Sequence, residues 1–225
     1  MLHVPSVTNT KTTSLFDKEE TVTELEKLFR LTVHVFCDCV PGRPLPTYLV
    51  GETADNEESV FAAACTCAGE YPIIINGGDD TAGYPSGTVW AGRVWERYHV
   101  APERIHLVPH EGPPNTRTEM LSLAEYLKLQ QWKEIVMVAA PFHQVRAFLT
   151  LLRALQEKGL DQVRLYSRVG SPQPWGEVAL HSQGVVRATR AELVGGEFGR
   201  IERYTALGHL ATLDEALEYL RQRDA

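Results

Sequence analysis

Hydrophobic and polar positions along this chain follow two periodicities, one typical of strands and one typical of helices. Short apolar runs rich in β-branched residues predict buried strands, whereas apolar residues three or four positions apart predict amphipathic helices. The predicted strands lie at 32–40, 71–77, 104–109, 134–140 and 162–169. The predicted helices alternate with them in "TVTELEKLFRL" (21–31), "NEESVFAAACTCAG" (56–69), "TVWAGRVWERYHV", "TRTEMLSLAEYLKLQ" and "HQVRAFLTLLRALQEKG".

Repeated strand–helix units of this kind predict a parallel sheet with helices on both faces. We therefore expect a Rossmann-like three-layer α/β sandwich with a mainly parallel sheet. Residues 1–20 are polar and rich in threonine, which indicates an N-terminal arm before a single α/β domain spanning 21–225. From about residue 171 onward we expect a C-terminal helical extension. Its last helix opens with Thr212 and Glu215 at the spacing of a capping box.

The segment "SPQPWGEVALHSQGVV" (171–186) contains Pro172, Pro174 and Gly176 close together. Such a concentration of turn-forming residues predicts a loop rather than another strand–helix unit. We expect this loop to lean over the binding site. Trp175 would then either stack on a ligand or fill the core, since tryptophan is usually well buried.

The composition, 44% hydrophobic and 23% charged, is that of an ordinary globular protein. No apolar run approaches the roughly 20 residues that cross a bilayer, and the first residues lack a basic segment followed by an apolar one. We therefore expect a cytoplasmic protein without a membrane span. The formal net charge of −7 argues against a broad surface for nucleic acid or anionic membranes, although it permits a local basic pocket.

Four cysteines occur as two C-x-C pairs, Cys37/Cys39 and Cys65/Cys67. Zinc sites more commonly place two to four residues between paired cysteines, and cytosolic chains rarely keep structural disulfides. We expect these thiols to pack as small apolar side chains and predict no metal site. The spacing alone leaves a Cys₄ zinc site open as the alternative.

Residues that directly follow the predicted strands are the candidates for chemistry, because ligands bind beyond the carboxyl ends of strands in open parallel sheets. Gly77 and Gly78 end one strand in "INGGDD". They either let the backbone approach a ligand closely or form a simple turn. Asp79 follows them, in a position where aspartate most often caps or solvates a loop. Asp38 stands near the end of the first predicted strand, in "FCDCVPGRP".

Two further segments open helices directly after strands. In "GPPNTRTEM", the Asn115 amide either donates to a ligand oxygen or closes the turn, and Thr116 with Glu119 has capping-box spacing. In "PFHQVRA", His143 and Arg146 are three residues apart and share one helix face. Free N–H groups and the positive end of the helix dipole favour an anion at such places. The structural alternative is that Thr116 caps its helix and Arg146 pairs with a neighbouring carboxylate.

The stretch "GGDD…TVWAGRVWERYHVAPERIHLVPHEGPPNTRTEM…EIVMVAAPFHQVRA" resembles the ElyC/SanA/YdcF-like family, whose domain has long lacked an assigned function. The likeness covers about residues 32–160. The resemblance implies a Rossmann-like fold, a pocket for a nucleotide or S-adenosylmethionine and, in bacterial members, a link to cell-envelope metabolism. Two motifs match the family residue for residue: Asn115-Thr116 and His143-x-x-Arg146-Ala147.

The chain departs from the family pattern in two places. The family usually ends its first strand in glycines, whereas the first predicted strand here ends in "FCDCVPGRP". The family also tends to carry a glutamate on the helix after the Gly-Gly loop, where this chain has "SGTVWAG". A catalytic carboxylate inherited at that position is therefore missing. Many family members are membrane-anchored, and no anchor is visible in this sequence.

Together these features predict a protein that binds a small anionic metabolite, phosphorylated or nucleotide-like, at the carboxyl edge of the sheet, with S-adenosylmethionine as one candidate cofactor. The predicted ligand-binding residues are Gly77, Gly78, Asn115, Thr116 and Arg146. The predicted catalytic residues are His143 as general acid or base, with Asp38 or Asp79 as its carboxylate partner.

The expected reaction is hydrolysis or group transfer. The alternative is a non-catalytic metabolite-binding or regulatory module, in which the same residues hold the ligand without turnover. The sequence contains no P-loop, G-x-G-x-x-G, G-x-S-x-G or H-E-x-x-H motif. Their absence argues against the common nucleotide triphosphatases, dinucleotide dehydrogenases and serine hydrolases.

Overall fold

The computed structural model describes residues 22–80, 84–110, 115–181 and 185–225. The predicted N-terminal arm, residues 1–20, lies outside the described residues. Within the described part the chain forms a five-stranded parallel sheet, a two-stranded antiparallel hairpin and seven α-helices. This is the Rossmann-like three-layer α/β arrangement that the sequence predicts.

The elements alternate along the chain as follows. The main sheet consists of β1 (Thr47–Leu49), β2 (Ile73–Asn76), β3 (Ile105–Val108), β4 (Glu134–Ala139) and β5 (Arg164–Val169). The hairpin consists of β6 (Val178–His181) and β7 (Val186–Thr189). The helices are α1 (Glu24–Phe36), α2 (Glu57–Ala68), α3 (Gly87–Tyr98), α4 (Thr116–Gln130), α5 (Gln144–Glu157), α6 (Arg190–Ala206) and α7 (Leu213–Arg223), and a short 3-10 turn, Pro102–Arg104, precedes β3.

The strand order of the main sheet is β3-β2-β1-β4-β5, so β1 lies in the middle. Tyr48 of β1 aligns with Ile74 of β2 on one side and with Met137 of β4 on the other. From β1 the chain moves outward to β3, crosses back through α4, and then moves from β4 to β5 in the opposite direction. The carboxyl ends of β1 and β4 therefore flank the topological switch point, where open α/β sheets bind ligands.

Helices bury both faces of the sheet. One face carries α1, α4, α5 and α7, which pack in one apolar cluster around residues such as Phe148 and Leu123. The other face carries α2 and α3, where Phe61 and Trp90 meet edge to face with ring centroids 5.1 Å apart. Because both faces are covered, the inner strands β2 and β4 are nearly continuous apolar runs rather than alternating ones.

The prediction of a first strand at 32–40 is wrong. Helix α1 continues to Phe36, and a loop follows it. The β-branched composition of this segment favours a strand. However, Leu31 and Val35 are four residues apart and both are buried in the core cluster, which is the spacing of a helix face. Packing has therefore overridden local propensity, and the true first strand is the three-residue β1 after "PGRPLP".

The prediction of a loop over 171–186 is wrong for its second half. The stretch with Pro172, Pro174 and Gly176 is indeed irregular, but strand β6 begins two residues later. Ala179 of β6 is buried and packs against Phe142 and Leu193. The hairpin is therefore held by its own small apolar cluster, formed with residues distant in sequence.

The other strand predictions are confirmed to within two residues at each end. Helix α4 begins at Thr116 as predicted, and the Thr212–Glu215 capping box opens α7. All four cysteines are free thiols. Cys65 and Cys67 pack half-buried against the α2–α3 cluster, whereas Cys37 and Cys39 are exposed, so the packing prediction is confirmed for the second pair alone. None of the described helices has the length and apolar character to cross a bilayer.

Candidate functional site

A cavity of about 700 Å³ opens over the switch point at the carboxyl ends of the strands. This volume lies within the range of small-molecule binding sites. Residues that follow β1 and β2, the first turns of α4 and α5, the hairpin and helix α6 form its wall. The structure brings five of the predicted site residues together on this wall: Gly78, Asn115, Thr116, His143 and Arg146.

Asn115 caps helix α4. Its Oδ1 accepts hydrogen bonds from the backbone N–H groups of Arg117 at 3.0 Å and Thr118 at 3.1 Å. The Thr118 hydroxyl completes a capping box with the Asn115 backbone, so the predicted box between Thr116 and Glu119 is wrong. Asn115 thus uses its side-chain oxygen for the helix, although the residue also lines the cavity.

Asp38 lies outside the cavity wall and has a structural environment. Its carboxylate accepts hydrogen bonds from the Arg223 guanidinium at 2.5 and 2.8 Å and from the backbone N–H of Ser167 at 2.7 Å. The Asp38 side chain is only 3% exposed. This ion pair connects the end of α1 to β5 and α7, so the geometry gives no support to a catalytic Asp38.

Gly77 and Asp79 are also outside the wall. The Gly77 N–H donates to the Val108 carbonyl at 2.8 Å, and a Cβ on Gly77 would lie 2.7 Å from the same oxygen. A glycine is therefore needed at position 77 for close packing of β2 on β3. Asp79 is exposed. Only Gly78, whose N–H donates to the Asn76 side chain at 2.8 Å, reaches the cavity.

Two buried residues meet at the switch point. Glu52 follows β1, and His143 follows β4 at the N-cap position of α5. The imidazole Nδ1 of His143 lies 3.2 Å from Glu52 Oε1, and the Ala140 N–H donates to the same oxygen at 3.3 Å. Glu52 Oε2 and His143 Nε2 are buried and have no hydrogen-bond partner within the described part of the chain. Both residues line the cavity, so these atoms are available to a ligand.

Burial determines the protonation of this pair. Removal from water raises the pKa of Glu52 from its ordinary 4.5 to about 8, and the Ala140 hydrogen bond offsets only part of that effect. Burial lowers the pKa of His143 well below its ordinary value, and the nearby Arg146 cation lowers it further. At neutral pH the contact is therefore a hydrogen bond between neutral groups. We assign the imidazole proton to Nδ1, which donates to Oε1, and the carboxyl proton to Oε2.

A second buried carboxyl, that of Glu119, lies on the same wall. Its Oε1 accepts hydrogen bonds from the Tyr48 hydroxyl at 2.6 Å and from the Gly51 N–H at 2.8 Å. Burial raises the pKa of Glu119 to about 7. Because Gly51 directly precedes Glu52, the Glu119 contact fixes the backbone turn that presents Glu52 to the cavity.

Arg146 is already paired with a carboxylate. Its Nε and NH2 groups donate to Glu197, the second at 3.3 Å, and NH1 donates to Thr116 Oγ1 at 3.2 Å. Burial alone would raise the pKa of Glu197, but Arg146 and a hydrogen bond from His181 outweigh it and hold that pKa below its ordinary value. Glu197 therefore neutralises Arg146. The structural alternative applies, and the prediction that Arg146 binds an anionic ligand has no support from the geometry.

Glu197 also binds two groups that the sequence did not single out. His181 Nε2 lies 2.9 Å from Glu197 Oε1, and Arg200 donates to the same oxygen at 2.9 Å. The His181 ring lies 5.5 Å from the His143 ring. One carboxylate thus connects α5, α6 and the hairpin around the cavity.

The hairpin forms part of the cavity wall through residues such as His181 and Val186. Trp175, which was expected to stack on a ligand or fill the core, does neither. It is 48% exposed and outside the wall. The expectation that this segment leans over the site is therefore met by the strands and not by the tryptophan.

Three arginines lie together on one side of the cavity: Arg117, Arg200 and Arg203, here called the arginine rim. Arg117 donates to Glu157 at 2.5 Å. Arg203 has no ion pair with a described residue, and its guanidinium lies 5.7 Å from the centre of the Tyr204 ring. The Tyr204 and His209 rings stack with centroids 6.1 Å apart. Arg200 shares Glu197 with Arg146, and Arg117 is paired with Glu157. Within the described residues, Arg203 is therefore the rim cation best suited to an anion.

Glu52 was missed because the first strand was misplaced. The signal was present in "TYLVGET", an apolar run followed by a glycine and an acid. Glu119 was recognised only as a capping partner. Glu197 and His181 gave no local signal, because their partners lie far away along the chain.

No known protein-family profile matches this sequence, and no curated protein matches it either. The class is therefore defined by the structure: a Rossmann-like α/β protein with a polar cavity at its switch point. Within the described ranges, no group of three or more histidine, cysteine, aspartate or glutamate side chains is placed to hold a metal ion.

Proposed function

We propose that this protein is an enzyme that binds a phosphorylated or nucleotide-type small molecule and uses His143 and Glu52 for hydrolysis or group transfer. The observation that carries the proposal is the buried Glu52–His143 pair on the cavity wall. A protonated carboxyl beside a neutral imidazole offers a proton donor and a proton acceptor side by side. Such pairs, with pKa values shifted by their surroundings, are the usual equipment of acid–base catalysis.

The arginine rim supports an anionic ligand. Guanidinium groups bind phosphate through planar, charge-assisted hydrogen bonds. The stacked Tyr204 and His209 beside them offer aromatic faces on which a nucleobase can stack. Sugar phosphates, adenine nucleotides and S-adenosylmethionine are the compounds to examine first.

The resemblance to the ElyC/SanA/YdcF-like family supports the same kind of ligand. With β1 at Thr47–Leu49, the first strand is followed by Gly51 rather than by "FCDCVPGRP". The difference from the family pattern at the end of the first strand is therefore smaller than the predicted strand at 32–40 suggested. The missing glutamate after the Gly-Gly loop remains a departure, and in this chain Glu52 would supply the carboxyl instead.

A non-catalytic metabolite-binding module is the second candidate. The observation that favours it is the strongly lowered pKa of His143, since a base with a low pKa accepts protons weakly. In that case the same wall residues hold the ligand without turnover.

Thermal-shift screening against adenine nucleotides, S-adenosylmethionine and sugar phosphates identifies ligands, because a ligand at 100 times its Kd stabilises by about 2.7 kcal/mol. Compounds that bind are then tested for release of phosphate or of another group. The variants are His143→Ala and Glu52→Gln, with His34→Ala as control, since His34 is exposed on α1 away from the cavity wall.

Turnover by the wild type and by His34→Ala that is lost in His143→Ala supports the enzyme. Binding without turnover in all proteins supports the module. If no compound in the panel shifts the unfolding temperature, the proposal of an anionic metabolite is wrong.

A further inference from the structure

Five buried polar atoms on the cavity wall have no hydrogen-bond partner within the described residues: Glu52 Oε2, Asn76 Nδ2, Trp90 Nε1, His143 Nε2 and His181 Nδ1. We call these five residues the polar floor, and each of them is at most 8% exposed. Buried polar groups in proteins are almost always hydrogen-bonded, and each one left unpaired costs about 1–3 kcal/mol. Five such atoms around one cavity therefore indicate a polar ligand.

The chemistry of these atoms can be assigned one by one. The Trp90 indole nitrogen is a donor only. Glu52 Oε2 is also a donor when the buried carboxyl carries its proton, as the raised pKa of Glu52 indicates for neutral pH. His143 directs Nδ1 to Glu52 and His181 directs Nε2 to Glu197. The remaining nitrogen of the neutral His143 ring, Nε2, is then an acceptor, and the Asn76 amide nitrogen is a donor. The floor thus presents three donor groups and an acceptor, with His181 Nδ1 as a further polar atom.

An ionised phosphate or carboxylate does not match this set. Anionic oxygens only accept hydrogen bonds, so they would face the lone pair of the neutral His143 imidazole. They would also lie near Glu119 and Glu197, whose oxygens carry or can acquire negative charge. A hydroxyl group both donates and accepts, so neighbouring hydroxyl groups supply partners for the donors of the floor and for its acceptor.

We propose that the polar floor binds neighbouring hydroxyl groups of a sugar-like or polyol part of the ligand, while the anionic group stays at the arginine rim. The position of the anionic group rests on the proposed function. The hydroxyl preference of the floor rests on the five unpaired atoms and their donor and acceptor roles, and it does not depend on the arginine rim. The ligand class is then a hydroxylated ring or chain with a terminal phosphate, bound with its hydroxyl groups innermost.

The test compares ligands that differ in one part. Ribose 5-phosphate and glucose 6-phosphate carry both parts, butyl phosphate carries only the anion, and ribose and glucose carry only the hydroxyl groups. Binding of each to the full-length protein is measured by calorimetry at neutral pH. We expect both sugar phosphates to bind at least about tenfold more tightly than butyl phosphate, as two or more added hydrogen bonds imply.

Variants assign the effect to residues. Trp90→Phe removes the indole N–H but keeps an aromatic ring against Phe61, and it should weaken sugar-phosphate binding about three- to tenfold, the range for one hydrogen bond. It should leave butyl phosphate binding unchanged. Trp175→Phe is the matched control, because Trp175 is exposed and outside the wall. Arg203→Gln should weaken binding of all three phosphates and leave binding of the free sugars unaffected.

The outcomes separate the two proposals. Free sugars that bind when no phosphate does would support the floor and contradict the anionic ligand. Butyl phosphate that binds as tightly as the sugar phosphates, or a Trp90→Phe variant that weakens all phosphates equally, would overturn the floor while the anionic ligand stands. If none of the five compounds binds, both proposals fall.

Discussion

The first turns of α4 and α5 are built alike but are used differently. Each helix starts shortly after a strand and contributes its first turn to the same cavity wall. Asn115 stands at the N-cap of α4, and its side chain satisfies two N–H groups of that helix. His143 stands at the N-cap of α5, and its side chain makes no capping hydrogen bond. The ring is directed to Glu52 instead.

The residues three positions further on differ in the same way. Thr118 bonds back to the backbone of Asn115 and completes a local capping box. Arg146 bonds outward to Glu197, 51 residues later in the chain. At the start of α4 the side chains of the N-cap residue and of the residue three positions on therefore bond within the helix start, whereas at the start of α5 both side chains contact other elements. A residue at a helix start can contribute its side chain to a site when that side chain does not hydrogen-bond to the backbone of its own helix.

His143→Ala is the change with the largest expected effect. If the protein is an enzyme, loss of the imidazole should reduce turnover about 10²–10⁴-fold, as for removal of a general acid or base. Steady-state rates at saturating ligand measure this. A variant that keeps more than half of the wild-type rate would show that the α5 start is as structural as the α4 start.

Glu52→Gln tests the partner of His143 at the α5 start through the pH dependence of protein stability. Folded Glu52 keeps its proton up to a pKa of about 8, whereas the unfolded chain releases it near 4.5. The folded state binds more protons between these values, so stability from this group is present below about pH 4.5 and is lost as the pH rises to 8. Over that range this buried group lowers the free energy of unfolding by up to roughly 5 kcal/mol. Glutamine stays neutral, so the variant should lack this loss.

Urea unfolding at pH 5, 6.5 and 8.5 measures the difference between wild type and Glu52→Gln. Because the pKa of His143 is lowered in the folded protein, the free energy of unfolding falls as the pH drops below about 6.5. Both proteins share this effect. The free energy of unfolding of Glu52→Gln should therefore increasingly exceed that of the wild type as the pH rises towards 8.5. Parallel curves would mean that Glu52 is ionised in the folded protein.

Arg146→Met tests the outward contact of the α5 start. It removes one partner of a buried ion pair whose side chains are 8% and 5% exposed. Such a change costs about 3–5 kcal/mol, because it leaves a buried charge incompletely paired. Thr118→Ala, at the equivalent position of α4, should cost no more than about 1 kcal/mol. Denaturant midpoints give both values, and the double variant Arg146→Met, Glu197→Gln should regain part of the loss. Equal costs for the two single variants would contradict the distinction.

Asn115→Ala should give the smallest effect. Loss of an N-cap destabilises by about 1 kcal/mol. Turnover or ligand affinity should stay within about twofold, because the Asn115 oxygen already serves the helix. Thermal unfolding and ligand titration check the two expectations, with Asn115→Asp as the variant that keeps the cap. A loss of binding with unchanged stability would make Asn115 a ligand contact rather than a cap.

Of the eight site residues predicted from local patterns in the sequence, five line the cavity. An apolar strand followed by a helix start identifies Asn115 and His143 as residues at the carboxyl edge, because both elements have a clear periodicity. The same patterns failed for Glu52, since β1 is only three residues long and follows a proline-rich segment. A strand of that length has too few positions to show a period, and neighbouring β2 and β4 define it instead.

The sequence by itself determined the parallel α/β architecture, four of the five main strands and the helix starts that open on the cavity. These follow from periodicity and capping, which act over a few residues. The tertiary structure decided that 32–36 is helix, that β1 is the central strand, and that Glu197 neutralises Arg146. It also decided the protonation of Glu52 and His143, because burial depends on every element packed around a group. Contacts between residues tens of positions apart, and the exclusion of water they cause, leave no local pattern.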